Sequence, residues 1–408
     1  MITNTKLVER FFRYVKIDTQ SSEEAEEQPS TAKQRALADL LAKELEELGA
    51  TVDYDRDHCY IYAAVPGDGP EEKALGFIAH MDTSPAVSGA GVKPRIIEGY
   101  DGKDEILTTE DFPELLDHLG EDLIATDGTT LLGADDKAGV SEIMNMLEYF
   151  STHPEISHRP IRIAFTPDEE VGRGTENFDV SRFGAKEAYT VDGGKLGVLE
   201  YECFHAAAAR VKISGRSVHT GDAKNKMINS LRLAMEYNAM LPEAETPEHT
   251  EGYEGFYHLD KIRGDVEETV LDYIIRDHDR EKFAARKKVM LQNADFMNRK
   301  YGSENVNGIN IHGKELVQVE IRDQYSNMAE VMKDHMELIT RAQEALRSLG
   351  VEPVTEPIRG GTDGAALSFM GVPCPNLCTG GYNYHSRYEY ASIQEMEKTA
   401  ELLILLAQ

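Results

Sequence analysis

His80, Asp82, Asp135, Glu169, Glu170, Asp192 and His385 are of the types that bind metal ions or move protons. Each follows an apolar run or lies in a glycine-rich stretch. Histidine and carboxylate are ligands that borderline-soft metals such as zinc accept, and the same donors also admit cobalt or manganese. His80, Asp135, Glu170, Asp192 and His385 suit two ions if one carboxylate bridges. In that reading His80 and Asp192 hold one ion, Glu170 and His385 the other, and Asp135 is shared. Two ions roughly 3.5–4 Å apart activate a water and polarise a carbonyl, the arrangement of a two-metal hydrolase. Glu169, next to a ligand but free of metal, is placed to take the water's proton and pass it to a leaving amine. Asp82 is expected to hydrogen-bond the other nitrogen of His80 and so fix its tautomer.

Such motifs are weak singly. His-x-Asp occurs at His80 and Asp82 but also at His258 and Asp260, and Glu-Glu occurs six times, so position must separate them. HMD ends the apolar run ALGFIAHMD and Glu169-Glu170 ends RPIRIAFTPDEE, whereas Glu46-Glu47 lies within the helical pattern STAKQRALADLLAKELEELGA. In that helix Ser30 or Thr31 is the expected N-cap and Gly49 the stop. A hairpin-like pair, TVDYDR and CYIYAAVPG, follows it, and EAYTVDGG and LGVLEYE are further strand-length runs. The helix DDKAGVSEIMNMLEYF falls between ALGFIAHMD and RPIRIAFTPDEE. Strands alternating with helices predict an α/β domain with a mostly parallel sheet, whose strand carboxyl ends line the ligand crevice.

From about Ala206 to about Arg322 the pattern restarts as β-α-β-β-α-β, a unit able to fold alone. We expect a discontinuous first domain, residues 1–205 and 323–408, with a second domain, 206–322, inserted in it. SSEEAEEQPS reads as a solvated acidic loop.

With 43 Lys and Arg against 73 Asp and Glu among 408 residues, the net charge is −30. That balance argues against nucleic acid or an anionic membrane as partner. Four scattered cysteines imply reduced thiols, and the amino terminus reads as an amphipathic helix rather than an export signal, so the expected compartment is the cytoplasm.

The stretches HMDTSP, LLGADDKAG, AFTPDEEVGRG, YTVDGG, EGYEGFYHL, YIIRD, PIRGGTDGA and GVPCPNLCTGGYNYH resemble, almost end to end, the tripeptide aminopeptidases of the M20 family of co-catalytic zinc peptidases. The resemblance implies two zinc ions, release of the amino-terminal residue from tripeptides, a catalytic domain with a lid, and a homodimer formed through the lid. It implies the ligand and catalytic roles given above, with Asp135 as the bridging ligand and Asp136 across a peptide bond that is cis in the family. His219, in SGRSVHTG, matches a lid histidine that binds substrate and the developing oxyanion; Thr220 stands where such sequences usually carry proline. Arg276 and Arg359 match arginines that grip a substrate carboxylate, for which a planar guanidinium is well shaped. The rival readings are another M20 hydrolase, a dipeptidase or an N-acyl amino-acid amidohydrolase, and a metal-binding protein without catalysis.

Overall fold

The apolar runs that lead into the candidate residues are neighbouring strands of one sheet. The computed structural model describes residues 4–302 and 315–408; Met1–Thr3, the start of the expected first helix, lie outside them. Two units emerge. One gathers the chain up to Tyr201 with Met328–Glu356 and Thr362–Gln408; the other is Glu202–Asn327 with Pro357–Gly361. The second unit thus begins and ends a few residues outside 206–322, and it takes in the later segment that holds Arg359.

In the first unit an eight-stranded mixed sheet runs in the order Thr51–Asp55, Tyr60–Val65, Ile161–Thr166, Leu75–His80, Glu187–Gly193, Asn376–Cys378, Val198–Glu200, Val354–Thr355. The middle four strands are parallel, and the hairpin of the first two adds an antiparallel edge. Every residue of Leu75–His80 is buried, which is why that strand is a continuous apolar run and not an alternating one. The helix Ala134–Thr152 packs along the sheet, and only glycine fits at 139: a Cβ there would stand 1.8 Å from the Val191 carbonyl oxygen. A second, four-stranded antiparallel sheet joins Gly381–Tyr382, Tyr390–Ser392, Leu123–Ala125 and Arg95–Ile97. No helix among the described residues is long and apolar enough to cross a membrane.

The helix Gln34–Glu47 begins later than its pattern suggested, and neither Ser30 nor Thr31 caps it. Both hydroxyls are drawn elsewhere, Ser30 Oγ to the Asp168 carboxylate and Thr31 Oγ1 to the Gln20 carbonyl.

The second unit is the strand His205–Ser214, helix Ser230–Asn238, strands Phe256–Gly264 and Glu268–Asp277, helix Arg280–Gly302 and strand Val317–Tyr325. Its sheet is antiparallel in the order second, third, first, last strand by position along the chain, wound over a core that includes Val211, Leu271, Ile275, Tyr237, Met290 and Met297.

One buried group in the long helix of the first unit has a measurable consequence. Both oxygens of Glu142 are buried without a hydrogen-bond partner among the described residues, and burial pushes its pKa well above the ordinary value. The unfolded chain ionises this carboxyl above about pH 4.3, whereas burial makes the folded chain hold the proton to higher pH, so between the two folding takes up a proton. Stability therefore falls as pH rises from the unfolded pKa toward the folded one. Glu142→Gln removes that cost. Its melting temperature should exceed the wild type's by about 2 °C or more at pH 8, with a smaller gap at pH 5; an equal gap at both would refute the neutral carboxyl.

Candidate metal centre

Three adjacent parallel strands deliver the cluster to one edge of the first unit's large sheet. His80 is the last residue of its strand; Thr166 ends the next, two residues before the Asp168–Glu169–Glu170 turn; and Asp192 is the penultimate residue of the third. The carboxyl ends of parallel strands are where open α/β sheets place their ligands.

His80 is buried, with Nε2 2.8 Å from Asp135 Oδ1 and 3.4 Å from Asp192 Oδ1. The other oxygen of Asp135 lies 3.2 Å from His385 Nε2, and His385 Nε2 lies 2.7 Å from Glu170 Oε2. One carboxylate thus touches both imidazoles, and each imidazole has a further carboxylate of its own. Two sets, His80 with Asp135 and Glu170, and His80 with Glu169 and Asp192, offer ligand atoms within 4.8 Å of one another. Glu170 Oε1 is buried with no hydrogen-bond partner among the described residues. An orphaned oxygen among clustered carboxylates is what a cation would satisfy, so the donor set fits a pair of metal ions.

The electrostatics follow from burial and crowding. Burial, reinforced by Asp135, pushes Glu170 up to about 8, and burial pushes Asp192 up to about 6. Glu169 rises well above its ordinary range through burial first and the Asp192 charge second. Burial opposes charge on Asp135 too, but the His385 and His80 hydrogen bonds outweigh it and hold its carboxyl below the usual range. Those bonds to Asp135 and Glu170 hold His385 up to about 11.

Asp82 departs in part from its expected partner. His80 Nδ1 lies 3.1 Å from the carbonyl oxygen of Asp82 and 3.4 Å from its carboxylate. That carboxylate also accepts the backbone N–H groups of Glu169 at 3.0 Å and Glu170 at 3.2 Å. It therefore tethers the turn that carries both glutamates.

Further groups that the sequence reading passed over hold the cluster in place. Glu389 accepts the N–H groups of Leu132, Gly133 and Asp135, fixing the Asp135 backbone; the Asp135–Asp136 peptide is cis. Asn376 accepts the Asp192 N–H, and Asp363, in GGTDG, accepts the Thr166 hydroxyl. Asp363 and Asn376 lie in the stretches PIRGGTDGA and GVPCPNLCTGGYNYH, whereas Glu389 lies in none of the quoted stretches.

His219, Arg276 and Arg359 belong to the second unit. His219 is exposed and its Nδ1 accepts the Gly221 N–H, and Thr220 begins a one-turn helix, Thr220–Asp222. Arg276 donates to the Ile275 and Ala207 carbonyls and stacks over Tyr325; no carboxylate pairs with it among the described residues. Arg359 is more fully engaged. It lies over the rings of Phe204 and Phe256 and donates to the carbonyls of Thr250, Gly252 and Glu254 and to the Thr250 hydroxyl.

The model of peptidase family M20/M25/M40 matches residues 130–408. A curated relative named Peptidase T, from Desulfitobacterium hafniense strain Y51, is 54 % identical over 99 % of this chain and 98 % of its own. Among solved structures the fold is similar to that of an aminopeptidase from Bacillus cereus ATCC 10987, with TM-score 0.77 at 24 % identity over 99 % of this chain and 98 % of that one. It is similar also to that of a tripeptidase from Staphylococcus aureus subsp. aureus Mu50, with TM-score 0.79 at 22 % identity over 100 % and 98 %. A family match over most of the chain and a whole-length relative at this identity decide the matter: the chain belongs to peptidase family M20 and is a peptidase, a hydrolase.

Proposed function

We propose that this chain is a cytoplasmic dizinc aminopeptidase that releases the amino-terminal residue from tripeptides. The observation that carries the reading is the Asp135 carboxylate set between His80 and His385, with Asp192 beside the first and Glu170 beside the second. His80 and Asp192 would hold one ion, His385 and Glu170 the other, and Asp135 both. Bound there, the ions would acidify a water and polarise the scissile carbonyl. Glu169 accepts the water's proton and returns it to the leaving amine nitrogen; its raised proton affinity suits that task. Asp82 keeps Glu169 aimed by holding its N–H and that of its neighbour, and it sits beside His80 Nδ1. The whole-length Peptidase T relative and the similarity to a tripeptidase support the substrate class.

The test is release of the amino-terminal residue from di-, tri- and tetrapeptides, free and N-acetylated, before and after chelation and zinc return. Turnover of free tripeptides above the others, lost on chelation and restored by zinc, is expected. Turnover of the acetylated peptide would favour an N-acyl amidohydrolase, preference for dipeptides a dipeptidase, and no turnover with bound zinc a non-catalytic metal protein. Pairing of two chains through the second unit, checked by light scattering, completes the proposal.

The two arginines should separate. Arg276 has no carboxylate partner among the described residues, which leaves it the better partner for a substrate carboxylate, so Arg276→Ala should raise KM for tripeptides about tenfold or more with little loss of melting temperature. Arg359 spends its donors on the 250–254 backbone. Arg359→Ala should lower the melting temperature, and an unchanged one would return it to the clamp role.

A further inference from the structure

Asp168 has no part in the proposed chemistry, yet its side chain is fully buried and its bonds are many. Gln34 Nε2 donates to Oδ1 at 2.6 Å, the Ser30 N–H donates to Oδ2 at 2.8 Å, and the Ser30 hydroxyl donates to Oδ1. The Asp168 N–H in turn donates to Gln34 Oε1 at 3.3 Å, so one amide side chain grips both the carboxylate and the backbone. Gln34 is itself fully buried. Asp168 has φ 57 and ψ 25, the left-handed region that residues with a Cβ seldom enter unless their surroundings hold them there.

A second set of bonds ties the same two segments together. The Arg173 N–H closes the turn onto the Asp168 carbonyl at 2.9 Å. Its guanidinium donates to the carbonyls of Ala25, Glu26 and Glu27, and Gln28 Nε2 donates back to the Arg173 carbonyl at 2.8 Å. The acidic stretch SSEEAEEQPS, expected as a plain solvated loop, is fastened by its backbone to the turn at 168–173. Glu169 and Glu170 lie inside that turn, with their own N–H groups on Asp82.

We propose that Asp168 is a positioning residue: locked to Gln34 and Ser30, it fixes the turn that aims Glu169 and Glu170 at the candidate metal centre. The inference rests on the roles given to those two glutamates under the proposed function. It predicts that a fault at Gln34, on a different helix, reaches both proton transfer and metal retention.

The experiment compares the zinc-loaded full chain with Gln34→Glu, Asp168→Asn and the double variant. Gln34→Glu sets carboxylate against carboxylate, and Asp168→Asn removes an acceptor. In the double variant the pairing returns with roles exchanged: the Asn amide and the 168 N–H donate to the new carboxylate, and Ser30 keeps an acceptor. Each single variant should lower kcat about 10- to 100-fold with KM little changed, and speed zinc release to a chelator by a similar factor, the usual range for groups that orient ligands. The double should recover both to within about threefold of wild type. Wild-type kcat and zinc release in the folded single variants would overturn the proposal, as would losses that the double does not repair. If a single variant fails to fold, Ser30→Ala, which removes one donor, must still speed zinc release, or the proposal falls. Should the wild-type chain leave tripeptides intact, the functional reading fails, and the zinc-release arm alone decides this inference.

Discussion

Glu169→Gln should cut tripeptide turnover by about 10²–10⁴-fold, the usual contribution of a positioned general base, while the chain keeps two metal ions. The amide is nearly the same size as the carboxyl, and the tether to Asp82 runs through the Glu169 backbone N–H, so the turn should stay in place. The loss should fall on kcat and leave KM close to wild type, because the interaction removed is made in the transition state. Metal analysis is the discriminating half of the experiment. Glu169 lies with His80 and Asp192 in a set able to hold an ion, whereas Glu170 reaches His385 at 2.7 Å. If Glu169→Gln loses an ion, Glu169 is a ligand and the base must be sought elsewhere. Glu170→Gln is the matched control and should lose one ion along with activity.

The residues of this cluster were legible for a physical reason. Strands buried on both faces leave continuous apolar runs, so Leu75–His80 and Ile161–Thr166 announce their own ends, and the polar residues after them stand at the strand carboxyl ends. The small sheet around His385 was not legible. Its strands are two or three residues long and pair across the sequence, Tyr390 with Ala125 and Arg95 with Ala125, with too few residues for any period to form. His385 itself adopts φ 57 in the loop between two of those strands, a placement that spacing does not encode. Groups that act through a distant carboxylate were equally hidden. Glu389 meets Asp135 254 residues away and Gln34 meets Asp168 134 residues away, and neither lies in a motif. The arginines show a further limit: a sequence gives the guanidinium but not whether its donors are taken, which is what separates Arg359 from Arg276.

Asp135→Ala should have the broader effect, because this carboxylate is the one that reaches both halves of the cluster, 2.8 Å from His80 and 3.2 Å from His385. Under the proposed assignment Asp192→Ala removes a ligand from one ion, whereas Asp135→Ala removes one from each. Metal content should fall from two toward zero, and turnover by a factor on the order of 10³ or more, since the acidified water is lost with the ions. The backbone should stay put, because Glu389 holds the Asp135 N–H independently of the side chain that is removed. Without metal the variant should melt somewhat lower than wild type, having lost the contacts that hold the Asp135 carboxyl in its charged form. The decisive measurement is therefore the rise in melting temperature on adding zinc. A ligand that binds only the folded chain stabilises it by about 4 kcal/mol at a thousand times its Kd, a gain wild type should show and Asp135→Ala should largely lose. Asp192→Ala should keep part of it. If Asp135→Ala retains two ions and an undiminished zinc shift, the shared-ligand arrangement is wrong and the two imidazoles belong to separate, independently built sites.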